Sequence, residues 1–351
     1  MGASLSNLSV DVGDGSGGPG LGDIPESCVA CVFTYLTPPE ICNLARLNRA
    51  FRGAASSDSV WELKLPPTYS QLLSLLPPGA SLLSKKKDIF AFLSRPVPFD
   101  DLYKVLWLDT VTGGVCLSVS AKAMAITGIE DRRYWSWIPT QESSGFHSTH
   151  PCGWKSGQAE HMHEKSSISP YGVKAKHSPG GLGAIEVAPN ELILKPAKRP
   201  WFQVVAFLQQ IWWFEVQGLI KFPFPPGVYS LSFRLHLGKF FRRLGRRACS
   251  YDQTHGWDLK PVRFDLSTSD GQNVSRECCL DEPESSNYMG FCKRGCWIEY
   301  LVGDFVVTGS ETLDLRFSMK QIDCTHSKGG LCVDSVSIMP SELRDRALKK
   351  L

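Results

Sequence analysis

The residues whose types could support metal or nucleophile chemistry form four groups: His147, His150, His161 and His163; Cys278-Cys279; Cys292 with Cys296; and the run Asp323-Cys324-Thr325-His326. A structural zinc site needs four Cys or His ligands at set spacings. No histidine stands near either cysteine pair at such a spacing, and the four histidines sit in a segment without periodicity. A nucleophilic cysteine needs a base and an orienting group that meet it in space, which adjacency of Cys324 and His326 does not supply. The chain carries no G-x-S-x-G, P-loop, H-E-x-x-H or dinucleotide fingerprint. The reading is therefore of a non-catalytic protein without metal or cofactor, whose side chains supply affinity and orientation.

The elements that would position a binding surface come next. At 351 residues the chain has room for two domains. Apolar content of 42% and charged content of 21% describe an ordinary globular protein. A formal net charge of +3 gives no strong field for nucleic acid, and no apolar run approaches the roughly 20 residues that span a bilayer. Residues 1–20 read as a Gly/Ser-rich disordered tail without a secretory signal, so a cytoplasmic and/or nuclear location is expected. The twelve cysteines are scattered through apolar patterns and read as reduced thiols.

Residues 21–66 read as helical. Asp23-Ile24-Pro25-Glu26 is a helix start, followed by Val29, Val32, Phe33 and Leu36 at helical spacing. Thr37 with Glu40 three residues on is a capping box, and Ile41, Leu44, Ala45 and Leu47 follow. Asn48 caps a third short helix with Phe51 and Ala55; Trp61, Leu63 and Leu65 close the segment. Three helices this short make a poor independent core. The leftover apolar surface must be buried on a partner protein or on the following domain, and the pattern alone leaves both open. Residues 67–102 read as a connector, with a short helix near Asp88–Leu93.

From residue 103 the period changes to two. Val105–Asp109 and Val115–Val119 flank a Thr112-Gly113-Gly114 turn. Tyr229, Leu231, Phe233, Leu235 and Leu237 share one strand face, with Arg234 and His236 opposite; 262–267 and 313–319 alternate likewise. An all-β antiparallel sandwich over 103–340 is the reading, ending in a tail at 341–351. Residues 147–202 have neither period, and read as a disordered insertion or a retained intron.

The order Asp23-Ile24-Pro25-Glu26, Leu36-Thr37-Pro38-Pro39-Glu40-Ile41, Leu44–Arg49, Phe51-Arg52 and Trp61 resembles an F-box. The resemblance implies a three-helix unit that docks on the Skp-type adaptor of a cullin ubiquitin ligase. Carried over by position, the docking surface would involve Ile24, Pro25, Val29, Val32, Leu36, Pro38, Ile41 and Leu44.

The second half is similar to the phloem protein 2 (Nictaba-like) lectins. The similarity rests on Ser120–Thr127, Tyr134-Trp135, Trp212–Val216, Gly227–Tyr229, Gly256–Asp258, Trp297–Glu299, Val302–Phe305 and Gly329–Pro340, and the whole order is similar to the A13-type subgroup. It implies a jelly-roll-like lectin sandwich with affinity for N-acetylglucosamine oligomers and N-glycan cores. A sugar's C–H face stacks on an aromatic ring while its hydroxyls need fixed partners. Trp135 stands where the family has a stacking Trp, and Trp137 shares its face in a strand. Glu299 and Asp304 would accept sugar hydroxyls. Gly128 departs from a second stacking Trp. Trp212, Trp213 and Trp257 read as core. Leu237–Arg247 is the one local basic cluster, read as a solvated β-loop. Two functions follow. One is the target-recognition subunit of an SCF-type ligase, its target possessing an N-glycan in one version. The other is a stress or defence lectin whose helices only cap the sandwich.

Overall fold

The computed structural model describes residues 24–139, 202–243, 246–250, 253–281, 294–295, 297–309 and 311–349. The tail expected at 1–20, the insertion expected at 147–202 apart from Phe202, its four histidines and the Cys292/Cys296 pair lie outside the described residues. Phe202 is buried.

Helix α1 (Glu26–Phe33) starts after Pro25, whose carbonyl accepts from the N–H groups of Cys28 and Val29. Helix α2 (Pro38–Leu44) opens on Thr37. The Thr37 N–H and hydroxyl both donate to Glu40 Oε2, at 2.8 and 2.7 Å, and these bonds hold the Glu40 carboxyl below its usual range. Asn48 Oδ1 caps α3 (Arg49–Ala54) by accepting from Phe51 N at 2.8 Å. A short fourth helix, α4 (Asp58–Glu62), adds to the three expected. It buries Trp61, whose Nε1 donates to Ala55 O at 2.8 Å.

The stretch expected as a connector holds α5 (Tyr69–Leu75), a 3-10 turn (Pro78–Leu82), α6 (Lys86–Leu93) and strand β1 (Val97–Phe99). Phe90 of α6 meets Trp61 at 5.2 Å between ring centroids. Strands β2 (Lys104–Leu108) and β3 (Val115–Ser120) form the expected hairpin. At its turn Asp109 Oδ2 accepts from Thr112 N at 2.8 Å, and Gly113 takes φ 69°. A Cβ on Gly113 would lie 2.4 Å from the Lys64 carbonyl oxygen, so the hairpin tip rests on the end of the helical unit.

The remaining strands are β4 (Ala125–Ile126), β5 (Trp135–Pro139), β6 (Val204–Leu208), β7 (Phe214–Phe222), β8 (Gly227–Leu237), β9 (Lys239–Arg243), β10 (Arg246–Ser250), β11 (Val262–Thr268), β12 (Asn273–Cys278), β13 (Trp297–Val307), β14 (Leu313–Gln321) and β15 (Leu331–Pro340). Every pairing among them is antiparallel. In the first sheet β15 pairs on one side with β3 and β6, and on the other with β8, which carries β13. The second sheet runs β12-β11-β14-β7-β4, and β9-β10 is a separate ribbon spanning the basic cluster.

The two sheets face each other across one apolar core that includes Phe233, Phe264 and Phe317 and continues without a break into Phe90, Trp61 and Phe33 of the helices. Gly218 of β7 leaves room for the cross-strand Phe317 ring; a Cβ there would stand 2.2 Å from it. The alternation expected for β11 and β14 holds: Val262, Phe264, Leu266, Leu313, Leu315, Phe317 and Met319 are buried, and Arg263 and Arg316 exposed. On β8 it does not. Ser230, Ser232 and His236 are buried too: His236 lies against Trp297 and Cys332 of an outer cluster with Ile138, Val205 and Phe207, and Ser230 lies between Asp304 and Ser341. The tail expected at 341–351 is instead a helix, α7 (Ser341–Lys349). It is tied to the sandwich by Arg344 Nη1 donating to Asp304 Oδ1 at 2.7 Å and by a hydroxyl contact of 3.1 Å between Ser341 Oγ and Ser230 Oγ, in which Ser230 accepts because its own proton goes to Asp304.

Candidate functional site

Two surfaces were legible as sites, and the structure rearranges both. Of the eight residues expected to dock a partner, Val29, Pro38 and Ile41 are buried in the helical unit's own core, and Leu36 and Leu44 are half-buried against it. Only Ile24, Pro25 and Val32 are exposed, Val32 by 58%. This placement has a simple cause: helical spacing finds the apolar side of each helix, and that side turns inward even in a tiny unit. A second stripe runs along the opposite side of α1. Pro25, Cys28, Val32 and Tyr35 recur at helical intervals and all are exposed, Tyr35 by 90%. Leu47 and Leu63, at 64% and 67%, add further uncovered apolar surface. Tyr35 and Leu47 were not among the residues expected at this surface; the available signal was their position three residues beyond Val32 and Leu44. The helices bury Trp61 and Leu65 in the shared core, yet this stripe stays open.

The four expected sugar contacts do not converge. Trp135 is 1% exposed, donates Nε1–H to Thr127 O at 3.0 Å and stacks on Phe214, so it is a core ring with no face for a ligand. Trp137 shares its strand face but lies at the rim, 38% exposed, with Lys122 Nζ 5.6 Å from its ring and 5.8 Å from that of Tyr103. Glu299 and Asp304 are on β13, separated from β5 by β8, β15 and β6, roughly 19 Å at ordinary strand spacing. Glu299 is exposed and pairs in register with Arg234 of the neighbouring β8. Asp304 is occupied by Arg344 and by Ser230 Oγ, which donates to it at 2.7 Å.

Gly128 sits in a turn at φ 76°, where an added Cβ would lie 3.2 Å from the Tyr134 ring. A Trp at this position would take a strained left-handed backbone and crowd the Tyr134 ring. The rings nearby are the exposed ones. Tyr134 is 36% exposed, and the adjacent pair Trp212 and Trp213, read from sequence as core, are 51% and 45% exposed; Trp257 is fully buried. Trp213 Nε1 donates to Glu215 Oε2 at 3.2 Å, and Glu215 O accepts from Thr127 N, which brings Trp213 to the Gly128 turn. Lys328, buried, donates Nζ–H to Trp212 O at 2.9 Å and fixes the loop from behind.

The remaining chemistry-bearing residues stay apart. His326 Nε2 faces Gly256 O at 2.9 Å and Nδ1 faces Thr325 Oγ1, so its ring is held away from base duty toward Cys324. Cys278 and Cys279 are half-buried, and no cluster of three potential metal ligands occurs among the described residues. Burial pushes the His236 imidazole down to about 4, against the opposing pull of backbone hydrogen bonds at Gly295 and Gly238.

A short helical unit with one open apolar stripe, fused to a curled antiparallel sandwich, defines a two-part helical and β-sandwich protein. The F-box-like family model matches residues 21–63, and the Phloem protein 2 model matches 114–150 and 190–340. The gap in the second match, 151–189, is narrower than the insertion expected at 147–202. The chain is 57% identical over 341 residues to F-box protein PP2-A15 of Arabidopsis thaliana, covering 97% of this chain and 95% of that one. It is 44% identical to PP2-A12 (93% and 90% covered) and 44% identical to PP2-A13 (91% and 88%) of the same plant. The chain belongs to the plant family of F-box proteins that carry a phloem protein 2 domain.

Proposed function

We propose that this chain is the target-recognition subunit of an SCF-type cullin ubiquitin ligase, acting in the cytoplasm and/or nucleus. The helical unit binds a Skp-type adaptor and, through it, a cullin; the sandwich holds the target while other subunits carry out ubiquitin transfer. The observation that carries this reading is the uncovered stripe Pro25, Cys28, Val32 and Tyr35, left open although Trp61 and Leu65 of the same unit are buried in the core shared with the sandwich. Large apolar side chains clustered at a surface drive association when they are desolvated together. The test is co-purification of adaptor with Ile24→Asp plus Val32→Asp. Both residues are exposed, so the fold should persist while adaptor recovery is lost. Leu36 is unsuitable because it packs on the core. Undiminished adaptor recovery by the folded variant would refute the assignment.

The exposed rings at Tyr134, Trp212 and Trp213 favour a second reading, in which the sandwich binds N-acetylglucosamine oligomers, free or on a glycoprotein target. Titration with chitotriose tests it. Binding should be lost in Trp212→Ala plus Trp213→Ala and retained in Trp137→Ala. No binding by the unaltered chain would dismiss the sugar.

A further inference from the structure

The outer face of the second sheet carries a groove that neither reading uses. Strand register aligns Ser275, Asp265, Ser318, Gln217 and Ala125 in one row across all five strands, from β12 through β11, β14 and β7 to β4. The row on one side holds Arg263 and Lys320, with Glu277 and Glu215 at its two ends. The row on the other side holds Arg316 and Leu219, with Ser267 and Asn273. Between them lies an open cavity of about 580 Å³ lined by Asp265, Ser318, Gln217, Lys320, Arg316 and Leu219, among others. Five strands span roughly 19 Å, the length of about six residues of extended peptide.

The charges in this groove are fixed and unequal. Asp265 accepts from Arg263 Nε at 2.8 Å, from Ser275 Oγ at 2.8 Å and from Ser318 Oγ at 3.3 Å, and pairs with Lys320 Nζ at 2.8 Å. Burial alone would raise its carboxyl, but the bonds from Lys320, Ser275 and Arg263 outweigh that and hold it at about 2. Its oxygens are thus spent on its neighbours, and Arg263 and Lys320 share a single carboxylate. Across the groove, Arg316 is exposed, and no hydrogen bond or ion pair occupies it among the described residues. At the rim, Glu215 is engaged by Trp213. The balance inside the groove is positive. Leu219, 48% exposed, adds one apolar contact beside Arg316. Phe317 is the one ring among the lining residues, and it is buried against Gly218. No flat face is offered to a sugar, which disfavours a glycan here.

We propose that this groove binds an extended acidic segment of a partner protein. Arg316 takes one carboxylate through its fork of N–H groups, Lys320 a second, and Leu219 packs on an apolar residue between them. The proposal deepens the receptor reading, from which it takes the identity of the partner as a ligase target.

The test uses the full-length chain to select from a random peptide library displayed on phage, with selected peptides then measured as fluorescent conjugates. Acidic sequences should dominate. Their affinity should fall roughly tenfold or more in Arg316→Glu, and should weaken as salt is raised. Ala125→Trp, which fills one end of the groove, should weaken binding as well. Both variants alter exposed side chains and should melt as the unaltered chain does. Failure to select any peptide, selection of peptides without acidic residues, or affinity indifferent to Arg316→Glu would overturn the proposal. Loss of chitotriose binding in Arg316→Glu would also overturn it, by making the groove a sugar site. Adaptor binding is measured on the same proteins: its absence from the unaltered chain with peptide binding intact would defeat the receptor reading and leave the groove standing.

Discussion

Trp61 and Phe90 meet at 5.2 Å between ring centroids, and through that contact the N-terminal helices and the sandwich share one apolar core. Trp61 is fully buried and bonded through Nε1 to Ala55 O; Phe90 is fully buried on α6. The helical unit is therefore a fixed extension of the sandwich.

Replacing Trp61 with alanine should cost about 3–5 kcal/mol, since it removes a large buried ring and leaves Phe90 facing a cavity. Equilibrium urea unfolding measures this. Because the core is continuous, the loss should appear in the unfolding of the whole chain. A separate early transition confined to the helices would show instead that the unit folds by itself.

His236 gives the fold a pH dependence. Its imidazole is pushed down to about 4 by burial. The unfolded chain, with an ordinary histidine near 6.5, binds the proton first, so stability falls as pH drops from about 6.5 toward about 4. Between about pH 7 and about pH 5 the loss should be about 2 kcal/mol. The slope of unfolding free energy against pH should flatten in His236→Gln. An unchanged slope would place the acid sensitivity elsewhere.

Asp304 is predicted to hold α7 and to have no part in sugar binding. The Asp304–Arg344 pair is partly exposed, so Asp304→Asn should change stability by no more than about 1 kcal/mol. Amide exchange in α7 should accelerate, while any chitotriose binding should stay as it was. A fall in chitotriose affinity without faster exchange in α7 would restore Asp304 as a ligand residue.

Local signals were readable in the sequence, and signals that depend on distant strands were not. The Thr37–Glu40 capping box and the Asn48 cap are three-residue devices, and both formed as their spacing dictates. Strand alternation identified the inward faces of β11 and β14 because their other faces meet water. It misjudged β8, where both faces are covered, and it placed Trp135 and Trp137 on one face without telling interior from rim. Trp212 and Trp213 looked like core because they are large; their place in the loop between β6 and β7 decides otherwise. Helix α7 depends on Arg344 reaching Asp304, forty residues away, and the groove depends on the register of five strands.

Hydrogen–deuterium exchange of the full chain with and without a purified Skp-type adaptor addresses the docking face most directly. Exchange should slow across residues 24–36 and around Leu47, and remain unchanged in β11 and β14. An adaptor that leaves α1 unprotected, or that protects the sandwich alone, would contradict the assignment of the Pro25–Tyr35 stripe as the ligase-binding surface.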